Sequence, residues 1–158
     1  RERIYFKTAS LFQTSGESGA VLSGAPEEQV KCLTDYSRNI GLAFQVIDDI
    51  LDFVGDSQTV GKPIGNDLKN GVVTLPTIYA MENDTLRNRV TEFFNTNSML
   101  NVPDELINSI KSSGALERSY QYAVQLAQKA RTSLRSLPKT SHRESLEELS
   151  KFIVSRTF

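Results

Sequence analysis

A single cysteine, Cys32, is the whole of the thiol content. That excludes an internal disulfide and fits a reducing compartment, the cytoplasm. Apolar runs of about 18 residues are missing, so no membrane span is expected. The opening R-E-R-I-Y-F-K-T-A-S-L-F lacks the profile of a signal peptide. Positive charge is not in excess either. Lys and Arg number 18 against 19 Asp and Glu, the net charge is -1 and the pI is near 5.9, so nothing suggests a nucleic-acid footprint. The only histidine, His142, stands at the expected exposed start of a helix and is read as structural, with no metal or base role. No segment sustains the alternation of a strand, and no internal repeat occurs.

What is present is a globular composition, 39% hydrophobic and 23% charged over 158 residues, enough for one domain with a core. The first residues already read as the middle of a helix, with no start methionine and no cap. The expectation is a piece of a longer protein.

Apolar spacing predicts helices throughout, an all-α fold. Residues 2–22 carry Ile4, Phe6, Leu11 and Phe12, then the small Gly16, Gly19 and Ala20, ending at Ser23-Gly24. Pro26, Glu27 and Glu28 suit the first turn of a long helix reaching about Gly55. In it Leu33, Tyr36, Ile40, Ala43, Ile47, Ile50 and Val54 alternate spacings of three and four, while Leu42, Val46, Leu51 and Phe53 add apolar character on other sides. A helix apolar nearly all round belongs inside a bundle. Residues 55–71, broken by Gly61, Pro63 and Gly65, are expected to form a loop carrying Lys62 and Lys69. Thr74 then caps a helix with Pro76 in its first turn, and a helix over residues 84–94 turns Leu86, Val90, Phe93 and Phe94 inward. Residues 95–101 read as a surface connection, 103–113 as a short helix closed by Gly114, and 116–137 as a long amphipathic helix stopped by Pro138. A last helix over 141–156 is expected to bury Leu146, Leu149 and Ile153.

The informative stretch is G-L-A-F-Q-V-I-D-D-I-L-D, residues 41–52. A helix turns about 100° per residue, which places Gln45, Asp48, Asp49 and Asp52 within an arc of roughly 100°. Three carboxylates in an otherwise apolar helix are costly without a compensating cation. The competing reading is a solvated acidic face on a surface helix; Ile47, Ile50 and Leu51 among the acids argue against it. Such a stripe suits a hard cation, and Mg2+ commonly bridges one or two carboxylates to phosphate oxygens. Zinc would need a Cys/His pair, and a calcium loop a glycine turn; neither is found here. Carboxylates and loop lysines together imply a phosphate or diphosphate ligand, without specifying the substrate.

F-Q-V-I-D-D-I-L-D, residues 44–52, resembles the second aspartate-rich motif of the trans-polyprenyl diphosphate synthases. G-K-P-I-G-N-D-L-K-N-G-V-V-T-L-P, residues 61–76, is similar to the stretch following it in long-chain members, and K-T-A-S-L, residues 7–11, to the family's lysine-threonine motif. The terminal F-I-V-S-R resembles the family's last helix. The resemblance covers essentially the whole chain but only the C-terminal half of a family member, and implies the isoprenoid-synthase type of helical bundle. It further implies condensation of isopentenyl diphosphate with an allylic diphosphate, Mg2+ as cofactor, and quinone side-chain synthesis. Asp48 would be the principal magnesium ligand, with Asp49 and Asp52 as further ligands or organisers. Lys7 and Lys62 would hold the allylic diphosphate, while Thr8 and Gln45 would face the reacting carbons.

The first aspartate-rich motif of the family, and the arginines after it, are absent from these residues, so this piece alone is expected to be inactive. Val72 stands where some members have a lysine. Two alternatives share the fold: a non-catalytic partner subunit, which would have no need of a buried acid stripe, and a terpene cyclase, expected to depart from F-Q-x-x-D-D. Mg2+-dependent hydrolases on helical bundles are more distant. The family is usually homodimeric, and an isolated half is expected to self-associate.

Overall fold

The computed structural model describes residues 2–54, 64–96 and 102–156. All regular structure among them is helical. A short α1 (Glu2–Ile4) passes through a π-helical turn (Tyr5–Ala9) into α2 (Ser10–Leu22), and α3 (Glu27–Val54) follows. After residues 55–63 come α4 (Asn66–Lys69), α5 (Leu75–Ala80), α6 (Asp84–Asn95), α7 (Asp104–Ser112) and α8 (Ala115–Ser133). A 3-10 turn (Leu134–Ser136) and α9 (Ser141–Ser155) complete the described chain. Two compact units emerge, Arg1–Ile47 with Tyr122–Phe158, and Asp48–Gln121; the division falls within α3 and α8.

In the first unit α3 buries Tyr36, Ile40, Ala43, Val46 and Ile47, and α8 buries Ala123, Leu126, Ala127 and Ala130. Of the small residues expected to pack closely in the second half of α2, Gly16 lies against Ser37 and Ala20 is buried. Gly19 is exposed with nothing near it, and closeness begins even earlier. A Cβ on Gly41 would stand 2.7 Å from the Cα of Ala9 and 2.9 Å from the Cβ of Phe12, so only glycine permits this approach. Phe12 lies against Phe44 with ring centroids 5.6 Å apart, and the Arg156 guanidinium sits 5.1 Å over the Phe44 ring. The Tyr36 hydroxyl donates to the Leu146 carbonyl at 2.8 Å, joining α3 to α9.

The second unit has its own core: Phe53, Leu68, Ala80, Leu86, Val90, Phe93, Leu106, Ile107, Ile110 and Ala115. Asn83 caps α6 by accepting the Leu86 N–H at 3.2 Å. Gly114 stands at φ 80° between α7 and α8, as its position after a helix end requires.

Several expectations change. Val54 is 38% exposed, and the neighbouring Phe53 is buried in its place. Residues 64–71 are not wholly loop, because α4 forms there. Thr74 occupies the N-cap of α5 with extended dihedrals, but its side chain makes no cap bond and its buried hydroxyl finds no hydrogen-bond partner among the described residues. Leu149 is 43% exposed; the inward stripe of α9 is Leu146, Ser150 and Ile153. Ser150 is buried without penalty because its hydroxyl donates to the Leu146 carbonyl at 2.9 Å. The expected connection over 95–101 and the Lys62 segment lie largely outside the described residues.

Two tests follow from this packing. Gly41→Val should lower stability by about 1–3 kcal/mol through overpacking. Gly19→Ala, with nothing within 4 Å of the added carbon, should raise it by about 0.4–1 kcal/mol; urea denaturation reads both. Burial raises the Tyr36 phenol above its ordinary 10.0, opposed more weakly by Ser150. Its contribution is therefore complete below 10.0 and lost as pH rises through the higher folded-state value. Thermal midpoints above pH 10.0 should fall more steeply for the parent than for Tyr36→Phe, which loses about 0.5–1.5 kcal/mol at neutral pH.

Candidate functional site

The polar residues of α3 meet different fates, set by what surrounds each turn of the helix. Gln45 and Asp49 are each 2% exposed, Asp52 is half-buried, and Asp48 is exposed. The apolar residues around them, Val46, Ile47 and Ile50, are all buried.

In the first unit, Thr8 and Gln45 come together. The Thr8 hydroxyl donates to Gln45 Oε1 at 2.5 Å, although 37 residues separate them in sequence. Thr8 belongs to the π-helical turn, where the Ser10 N–H donates to the Tyr5 carbonyl five residues back. This wider turn, a frequent device at functional sites, carries Lys7 and Thr8 on successive positions. Lys7 is exposed and Thr8 half-buried. The turn is held by α2 and α3: the Tyr5 hydroxyl donates to Gln13 Oε1 at 3.1 Å, and Arg38 lies 5.3 Å over the Tyr5 ring.

In the second unit, Asp52 receives the chain as it returns after residues 55–63. The Asn66 N–H donates to its Oδ1 and the Asp67 N–H to its Oδ2, both at 3.1 Å. Burial raises the Asp52 carboxyl above the ordinary carboxylate range. The Asp67 amide opposes that shift, the Asp67 charge reinforces it, and the Asn66 amide and Asp48 charge add smaller effects of each sign. These backbone donors were missed in the sequence reading. Their signal was the triplet G-N-D at residues 65–67, a left-handed glycine before a short helical turn.

Asp48, Asp49 and Asp52 offer only oxygen donors, and residues 41–54 contain neither histidine nor cysteine. That donor chemistry fits magnesium rather than zinc. Among the described residues no three His, Cys, Asp or Glu side chains gather as a metal cage. Magnesium in general keeps several waters and takes one or two carboxylates together with ligand oxygens. No helix among the described residues is long and apolar enough to cross a membrane.

The Thr8–Gln45 contact makes a direct test. In a double-mutant cycle with Thr8→Val and Gln45→Leu, read by chemical denaturation, the two changes should be non-additive by about 1 kcal/mol. Additive losses would mean that the pair is not coupled in solution.

The sequence profile described as Polyprenyl synthetase matches residues 1–109. The chain is 38% identical over 156 residues to heptaprenyl diphosphate synthase component 2 of Bacillus subtilis, covering 99% of this chain and 44% of that protein. It is 37% identical over 158 residues to octaprenyl diphosphate synthase of Escherichia coli, covering 97% and 48% respectively. The crystal structure of heptaprenyl diphosphate synthase from Staphylococcus aureus is similar with a TM-score of 0.87 at 31% identity, over 99% of this chain and 49% of that one. The chain thus spans about half the length of the curated relatives it matches. With the profile, the identities and the helical fold in agreement, the chain belongs to the polyprenyl synthetase family.

Proposed function

We propose that the whole protein is a trans-prenyltransferase that condenses isopentenyl diphosphate with an allylic diphosphate, with Mg2+ as its cofactor. The observation that carries this reading is the polar stripe of α3, where Gln45 and Asp49 are buried among the apolar Val46, Ile47 and Ile50. A buried carboxylate beside an exposed one, in a chain of this family, supports a divalent ion as the charge that the stripe answers. In this reading the chain contributes the second aspartate-rich motif. The first is absent from these 158 residues.

Ionising an allylic diphosphate leaves a cation next to a departing anion. Magnesium, when bound, supplies the charge that neutralises the leaving diphosphate. Asp48 and Asp49 would hold it, and Asp52 is the third member of the motif. Lys7 and Lys62 bind the diphosphate and hold its oxygens in place. Thr8 and Gln45 direct their oxygens at the developing positive carbon, and their mutual hydrogen bond fixes both side chains in advance of substrate. The apolar neighbours of the stripe exclude water, which would otherwise quench the cation.

The names of the relatives support transfer and lend nothing to a regulatory subunit or a cyclase. Quinone side-chain synthesis in the cytoplasm, by a homodimer, completes the reading. A relative named as component 2 of its synthase favours a second view of assembly, with a different chain as partner. Exposed Phe6, Leu11, Val21 and Leu22 support self-association of this half when isolated.

The test is elongation by the whole protein of an allylic diphosphate primer with labelled isopentenyl diphosphate and Mg2+. A longer product retaining its diphosphate is expected. Product without diphosphate points to a cyclase, and no incorporation overturns the reading. Asp48→Ala should reduce turnover by about 10²–10³-fold or more. An undiminished rate would remove Asp48 from the metal site.

A further inference from the structure

Asp52 is met by three consecutive main-chain N–H groups. Gly65 donates to its carbonyl at 2.9 Å, Asn66 to Oδ1 and Asp67 to Oδ2, each at 3.1 Å. Gly65 is left-handed, at φ 73° and ψ 24°, and the residues after it enter α4. A left-handed residue followed by right-handed ones aligns successive N–H groups into a concave nest that accepts an anion. The anion in this nest is the Asp52 carboxylate itself. Both of its oxygens face the positive ends of backbone dipoles, an environment that attracts negative charge and repels a cation. The far side of the turn is equally fixed: a Cβ on Gly65 would stand 2.6 Å from Cδ1 of Ile107, so the turn has no room to withdraw.

We infer that Asp52 is a positioning residue and not a magnesium ligand: its carboxylate fastens the start of α4 to the last turn of α3, and leaves the metal to Asp48 and Asp49. The division of labour between the aspartates rests on the prenyl-transfer reading. The fastening itself does not. Without it, the Gly65 bond alone would be left of these three main-chain bonds, and α4 would lose its N-terminal acceptors.

The experiment uses the whole protein with Mn2+ and inorganic pyrophosphate as probes, followed by electron paramagnetic resonance, together with amide exchange at Asn66 and Asp67. In Asp52→Ala both amides should exchange about five- to tenfold faster. Mn2+ affinity should stay within about twofold in Asp52→Ala, whose carboxylate is engaged by the Asn66 and Asp67 amides, and fall about tenfold or more in Asp48→Ala. Asp52→Asn keeps the reach and one acceptor, so it guards against a variant that fails to fold. It should give intermediate exchange with unchanged Mn2+ uptake. Equal loss of Mn2+ affinity in Asp52→Asn and Asp48→Ala, with parental exchange at residues 66 and 67, would overturn the inference. A parent that takes up no Mn2+ would sink the metal reading of Asp48 and Asp49. Amide exchange alone then decides the anchor, and parental rates in Asp52→Ala would refute it.

Discussion

Taking an amide or a carboxylate out of water costs free energy unless donors or opposing charge replace the solvent. α3 imposes that condition at more than one turn. Gln45 is answered by the Thr8 hydroxyl and Asp52 by the amides of Asn66 and Asp67. In each case the polar group reaches a segment far from it in sequence. Each therefore fixes where a neighbouring piece of backbone stands, the π-helical turn in one unit and the start of α4 in the other. Positions that look expensive for stability are the ones that set the geometry of the chemically interesting residues.

Close packing works alongside these bonds. Glycine at position 41 lets α3 approach the backbone of Ala9, one residue after Thr8. That approach brings a threonine hydroxyl within reach of a buried glutamine, which a larger residue at 41 would prevent. On α9, Ser150 serves the same kind of end by being small and satisfying its hydroxyl within its own helix.

Much of this was legible in the sequence, and the departures have physical causes. α3 was readable because its seam repeats through Tyr36, Ile40, Ala43 and Ile47, and all four are buried. The pattern failed at Val54 because the end of the helix serves another core. Phe53 lies about 120° round from Ile47 and packs with Leu68, Ala80 and Ile107. Periodicity reads one face, and cannot register a change of neighbours along a single helix. Leu149 was misread for a related reason: its apolarity outweighed Ser150, whose polarity disguised a core position. The stripe of Gln45, Asp48, Asp49 and Asp52 was visible as a pattern. What answers it was not, because the partners of Asp52 are main-chain N–H groups and no side-chain motif encodes them. The wider turn at Tyr5–Ala9 also left no mark, since its residues suit an ordinary helix equally well.

That wider turn has a bearing on how this stretch aligns with other chains. A π turn holds one residue more than an α turn, which rotates everything after it by about 100°. Tyr5 and Phe12 thus belong to differently phased pieces of one rod, one beneath Arg38 and the other against Phe44. A protein one residue shorter here would relax to plain α geometry and still deliver Ala9 and Phe12 to the same neighbours. Gaps of a single position beside the lysine-threonine pair are therefore structurally cheap, whereas gaps of two are not.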